Sequence, residues 1–322
     1  MRGSRRDICG EVTDLITMDF ASVFTAILIL FLIIGLGFSA RKHGILDKTS
    51  VHWISHILVT VAIPALTISS MQVPYTAQNV AIVGRTLILA FGYYLAAFVF
   101  GLIVCRFIPA TREETGVFRF MLVFPNVGFM GIPVASAVLG PGALFYVILF
   151  NLPFNLLVFT IGVWLLAQGR REKPGLLLLL TPGFVASLIG LALFVAGYDI
   201  PFPVDTLLDW VGKTTTPLAM LMVGALLATL PLSRLAGDWR VALITFLRLI
   251  ILPVLAFFLL APFVHDPLLL GTVVLLIAMP VAANTVLLSE EYGVDATLAS
   301  QGVFLSTLLS LLSIPLLEFF LF

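Results

Sequence analysis

The stretches 121-MLVFPNVGFMGIPVASAVLG-140 and 274-VLLIAMPVAANTVLLSEEYG-293 set the reading of this chain. Each is apolar over roughly the 20 residues that a membrane helix needs. Each also carries Pro and Asn near its middle, Pro125 with Asn126 and Pro280 with Asn284. Proline removes an intrahelical hydrogen bond and clashes with the preceding turn. In the first stretch Gly128 and Gly131 weaken the same region further. Both segments are therefore expected to break inside the membrane. Backbone groups freed there must be re-satisfied by protein or by a water-filled cavity. The half-helix that restarts after each break presents free N–H groups and a positive dipole end, which suit an anion. Asn126, Asn284 and Thr285 would add side-chain donors and acceptors beside the break. The expected substrate-binding set is thus Pro125, Asn126, Gly128, Gly131, Pro280, Asn284 and Thr285. The plainer alternative is a pair of kinked helices with packing glycines.

The rest of the chain supplies the setting. Hydrophobic residues make up 61% and charged residues 11%, against roughly 45–50% and 25% in soluble domains. Mean hydropathy is +1.16. Lipid must be the solvent for most of this surface. Ten apolar runs are predicted as spans, at about 20–40, 50–71, 84–107, 117–138, 142–167, 175–197, 205–229, 240–263, 268–289 and 296–321. Gly, Pro or charge separates them, as in 41-RKHGILDK-48, 140-GPG-142 and 168-QGRREKPG-175. The expected fold is an all-α integral membrane protein. Arg2, Arg5 and Arg6 ahead of the first run resemble a signal peptide, but the run is too long for one and lacks a small-residue cleavage site. It reads as an uncleaved span, with 1–19 an N-terminal extension and Met18 a plausible start. Net charge is zero and no basic patch suits nucleic acid. Cys9 and Cys105 suggest neither a disulfide nor a metal site. No cofactor is expected.

The two halves look alike. Pro64 and Pro217 are 153 residues apart, as are Gly140 and Gly293, while Pro125 and Pro280 are 155 apart. The halves are 20–167 and 175–322, joined by a linker at 168–174. Each holds five predicted spans, an odd number, so the second would be inverted relative to the first, as in many transporters. Lys and Arg crowd the odd-numbered loops (Arg41, Lys42, Arg112, Lys173 and others), whereas the even-numbered loops hold Arg85. This asymmetry puts the odd loops in the cytoplasm of an inner-membrane protein and both termini outside.

The strings 125-PNVGFMGIP-133, 217-PLAMLMVGALLA-228, 279-MPVAANTVLLSEEYG-293 and 306-STLLSLLSIP-315 resemble, in this order, the auxin efflux carrier family. That family includes the plant auxin carriers and bacterial permeases for malonate or malate. The resemblance runs over nearly the whole chain from about Phe20. It implies a ten-helix inverted-repeat fold shared with bile-acid symporters and sodium/proton antiporters. Spans 1, 2, 6 and 7 would form a scaffold, through which a homodimer could pair, and spans 3–5 and 8–10 a moving transport domain. Pro125 and Asn126 match the first crossing segment. Pro280 and Asn284 match the second loosely, because Asn lies four residues after Pro there. The long cytoplasmic loop of plant members is absent.

Further polar residues invite two readings each. Lys213 and Arg248 lie about two turns inside spans 7 and 8, where a buried cation is costly and often functional. Either could be a charge partner of the substrate or snorkel to an interface. Asn151 and Asn155 straddle Pro153 and could border the site or bond neighbouring helices. His52 and His56 have the i, i+4 spacing of a metal pair but no third ligand, and read as a solvated pair. The string 113-EETGVFR-119 approaches a membrane-protease pattern with one residue too many, and reads as a solvated loop, as does 290-EEYGVD-295. No Asp or Glu occupies the centre of a span, which disfavours proton coupling through an acid. The function expected is a secondary carrier of small organic anions, carboxylates above all, across the lipid bilayer. The alternatives are a sodium-coupled symporter of an amphipathic anion and, less favoured, an intramembrane enzyme.

Overall fold

The computed structural model describes residues 20–167, 180–229, 238–292, 294 and 296–321. The extension at 1–19 and the linker at 168–174 lie outside these residues. Among the described residues the chain is all-helical, with no strand beyond one isolated bridge. The helices are α1 Phe20–Lys42, α2 Lys48–Ser70, α3 Ala77–Val104, α4 Arg112–Val123, α5 Val127–Val138 and α6 Ala143–Leu166. They continue with α7 Pro182–Ala196, α8 Val204–Leu227, α9 Trp239–Leu260, α10 Pro267–Ile277, α11 Asn284–Glu291 and α12 Ala296–Leu321. Seven of these, α1, α2, α3, α6, α8, α9 and α12, are long and apolar enough to cross a membrane.

The long helices expose their apolar side chains outward. Leu36 is 63% exposed, Ile88 73% and Leu259 67%. In water such a belt would drive association; in lipid it is at home. The short helix α10 is the opposite case, since every residue from Leu268 to Ile277 is buried. A helix apolar on all sides belongs inside. α10 and most of α4 and α5 therefore sit in the protein interior.

Prolines shape several long helices. A wide π turn precedes Pro64 in α2 (Leu58–Ala62), Pro133 in α5 (Val127–Gly131) and Pro253 in α9 (Leu247–Ile251). The missing proline N–H leaves a carbonyl unpaired one turn back, and widening the turn accommodates the ring. α1 and α8 approach backbone to backbone. A Cβ at Gly224 would collide with the Ile34 carbonyl, and one at Gly37 with the Leu221 carbonyl. Small residues at such a crossing let membrane helices pack closely.

Two loop readings are corrected. α4 starts at Arg112, ahead of the expected 117, because Thr111 and Glu114 form a reciprocal capping box. The string 113–119 is thus helical, with Phe118 fully buried. α11 likewise runs through Glu291, so 290–295 is a loop only in part.

Candidate functional site

The two breaks meet. Between α4 and α5, and between α10 and α11, the chain runs extended and antiparallel, with Pro125 beside Val281. The Asn126 N–H donates to the Pro280 carbonyl at 2.8 Å, and the Ala282 N–H donates to the Phe124 carbonyl at 3.0 Å. The two prolines suit this crossing, since neither has an N–H to strand. The Val281 N–H is taken by Ser306 Oγ of α12 at 3.0 Å. The backbone groups freed by each break are thus paired largely by the other break, as burial demands.

Beside the crossing lies a cavity of about 310 Å³. The crossing side contributes Asn126, Gly128, Phe129 and Ile132 from the first break, and Asn284, Leu287 and Leu288 from the second. α6 contributes Ile148, Asn151, Phe154, Asn155 and Phe159. The opposite wall comes from α2 (Ser55, Val59, Ile63, Thr67) and from the start of α7 (Thr181, Gly183, Ser187). No lining residue is ionisable. The first N–H groups of α5 and α11 lack intrahelical partners by construction. Each of these helix ends carries about half a positive charge.

Of the residues singled out in the sequence, this cavity gathers Asn126, Gly128, Asn151, Asn155 and Asn284. Their chemistry differs. Asn151 Nδ2 donates to the Val147 carbonyl at 2.9 Å and to the Val127 carbonyl at 3.3 Å, so it props the π turn that opens α5. Asn155 Nδ2 donates to the Asn151 carbonyl at 2.9 Å. The side-chain amides of Asn126 and Asn284 make no hydrogen bond among the described residues, although Asn126 is buried. They are the uncommitted polar groups of the wall.

Pro125, Gly131, Pro280 and Thr285 stand outside the lining. The prolines form the crossing itself. Gly131 packs behind it, where a Cβ would meet Leu276 Cδ2 at 2.8 Å. Thr285 is buried, and its hydroxyl donates to the Ala282 carbonyl at 2.6 Å. Lys213 is also elsewhere, exposed at the end of the first segment of α8 and ion-paired with Asp209. Arg248 lies away from the lining, fully buried in α9. Its guanidinium donates to the carbonyls of Leu122 (3.0 Å), Ile277 (2.7 Å) and Met279 (3.3 Å), and to Tyr93 Oη (2.5 Å).

The hydroxyls of Ser55, Thr67, Thr181 and Ser187 escaped the sequence reading. They lie on α2 and at the start of α7, where no break drew attention. A hydroxyl at each end of an apolar stripe, Ser55 and Thr67 flanking Val59 and Ile63, was the available signal on α2. Ser306 and Tyr93 were missed for the same reason.

An all-helical membrane chain that breaks two helices and lines with them a largely apolar cavity carrying a few amides and hydroxyls has the build of a membrane transport protein. Sequence comparison agrees, since the family model described as membrane transport protein matches residues 22–318. The chain belongs to the auxin efflux carrier family. It is 26% identical over 321 residues, covering 95% of this chain and 94% of the relative, to a Rhizobium meliloti (strain 1021) protein named "Putative malonate transporter". It is 25% identical over 304 residues, 93% of this chain and 98% of the relative, to an uncharacterized transporter of Methanothermobacter thermautotrophicus. A Methanocaldococcus jannaschii protein, also an uncharacterized transporter, is 22% identical over 297 residues, 90% of this chain and 96% of the relative.

Proposed function

We propose that this protein is a secondary transporter of small organic anions, carboxylates above all, which it binds in the cavity at the crossing and moves by alternating access. The observation that carries this reading is the cavity wall. Two uncommitted amides, Asn126 and Asn284, stand at the N-terminal ends of two half-helices, with no acidic side chain in the lining. Two such ends supply about one positive charge between them. That matches a carboxylate better than a cation or a neutral solute. Apolar walls from Val59, Ile63, Phe129 and Phe154 would hold a short carbon skeleton, or the apolar part of an amphipathic anion. The name of the Rhizobium relative points to the same substrate class.

The architecture we propose is ten spans in two inverted repeats, with α4–α5 and α10–α11 each counted as one interrupted span. Its support is local. The crossing bonds exchange under a common shift, since Pro280 is 156 residues after Phe124 and Ala282 is 156 after Asn126. In this arrangement α1, α2, α7 and α8 are the scaffold, and the cavity lies between them and the moving remainder. The orientation we propose, in the inner membrane with both termini outside, is supported by the asymmetry of loop charge.

The test is counterflow in proteoliposomes with labelled malonate. Saturable uptake competed by unlabelled malonate or malate is expected. Uptake equal to that of protein-free vesicles for every carboxylate tried would refute the proposal.

A further inference from the structure

Arg248 poses a problem of charge. Among the described residues it forms no ion pair with a carboxylate, yet it is fully buried at the level of the crossing. An unpaired guanidinium there should be prohibitively costly. What faces it explains why it is tolerated. Leu122 lies in the last turn of α4, Ile277 ends α10, and Met279 follows two residues later. All three direct their carbonyls at the guanidinium. The carbonyls at a helix C-terminus have no intrahelical partner, and the end carries about half a negative charge. Two such ends amount to about one negative charge, which one guanidinium balances. Tyr93 extends the reach, accepting from Arg248 Nη1 and lying 3.2 Å from the Val123 carbonyl.

A cluster of carbonyl and hydroxyl oxygens at converging helix C-terminal ends is also the donor set that coordinates a monovalent cation in interrupted-helix transporters. Here the donors are already taken. We infer that Arg248 is the resident counter-cation of the crossing, a tethered charge standing where a coupling cation would bind, so that the crossing forms without bound sodium or potassium. The charge comes from α9 and the hydroxyl that spreads it from α3. The inference rests on the carbonyl geometry and holds whatever the substrate.

The test needs no substrate. Thermal unfolding of purified protein is followed in sodium, potassium or N-methylglucamine chloride at equal ionic strength. A cation bound by the folded state would raise the midpoint by mass action. The wild type should unfold at the same temperature in all three salts. Arg248→Gln should unfold roughly 5 °C or more lower, and millimolar methylguanidinium should restore it saturably while leaving the wild type unmoved. Arg248→Lys, which keeps the charge, should stay close to the wild type. Selective stabilisation of the wild type by sodium or potassium would overturn the inference, as would an Arg248→Gln protein as stable as the wild type in every salt. If Arg248→Gln yields no folded protein, size-exclusion profiles decide. A monodisperse Arg248→Lys supports the inference, and loss of both variants overturns it by showing that guanidinium shape, not charge, is required.

Discussion

Replacing Asn126 with Ala should separate binding from folding. This residue serves the structure through its backbone. Its N–H ties the crossing to Pro280, and its carbonyl accepts the Gly131 N–H at 2.9 Å. Its side-chain amide faces the cavity and bonds to none of the described residues. Alanine keeps the backbone bonds and deletes the amide, stranding no protein partner. A hydrogen bond to a charged group contributes about 1.5–3 kcal/mol, which is about ten-fold to more than a hundred-fold in affinity. The apparent malonate affinity, read from counterflow and from malonate-dependent thermal shifts, should fall by at least ten-fold. The unfolding midpoint without ligand should move by less than about 2 °C. Asn151→Ala makes the contrast. It removes a donor from two buried carbonyls, Val127 and Val147, and should cost about 1–3 kcal/mol of stability. Unchanged malonate affinity in a well-folded Asn126→Ala, Asn284→Ala double variant would refute this reasoning, as would a destabilisation of Asn126→Ala as large as that of Asn151→Ala.

Four further outcomes are expected. Cysteines placed at Lys42, Arg112 and Lys173 in a Cys9→Ser background should resist an impermeant maleimide in intact cells; the native Cys105 should stay silent, because it is buried. Labelling of all three from outside would reverse the topology. With no acid in the cavity lining, uptake should survive a protonophore when potential and ion gradients are clamped, and complete loss would contradict this. Arg240 bridges Glu114 at 2.9 Å and Asp238 at 2.7 Å, clasping the starts of α4 and α9. Its hydrogen bonds hold both carboxyls below their usual values. Depressed carboxylate values stabilise above the unfolded range near pH 4 and cease to as pH falls through the folded values. The melting difference between wild type and Arg240→Leu should therefore be full at pH 7 and shrink below about pH 4. His52→Ala and His56→Ala should leave counterflow unchanged, since both side chains are exposed and absent from the cavity lining.

Much of the fold was legible because proline in an apolar run has few meanings. Pro125 and Pro280 located both breaks, and the wall contains the asparagines beside them. The exact partnership was not legible. Asn126 and Asn284 look like counterparts in sequence, yet under the 156-residue shift of the crossing bonds Asn126 corresponds to Ala282 and Asn284 to Gly128. Local spacing cannot reveal which extended residues pair across 156 positions. Arg248 was visible as a buried cation, but periodicity says nothing about what a long side chain meets at its tip. The hydroxyls of α2 and α7 were hidden for a different reason. Ser and Thr bond their own helix backbone readily, as Ser187 does to the Gly183 carbonyl at 2.8 Å, so their presence in a span carries little information until another helix is set opposite. Lys213 marks the limit of counting turns, since α8 breaks at Thr214 and leaves the side chain at an exposed corner.

The anion is proposed to bind in the cavity that the crossing forms with α2, α6 and α7. Ser187, on α7, lines that cavity together with Asn126 and Asn284. The most direct measurement is the alkylation rate of a Ser187→Cys variant, lacking Cys9 and Cys105, in proteoliposomes with and without malonate. Malonate should slow alkylation saturably, with a half-effect matching its counterflow constant, while equal concentrations of malonamide or choline should not. A rate indifferent to malonate in protein that still performs malonate counterflow would contradict the account and move the site away from the crossing.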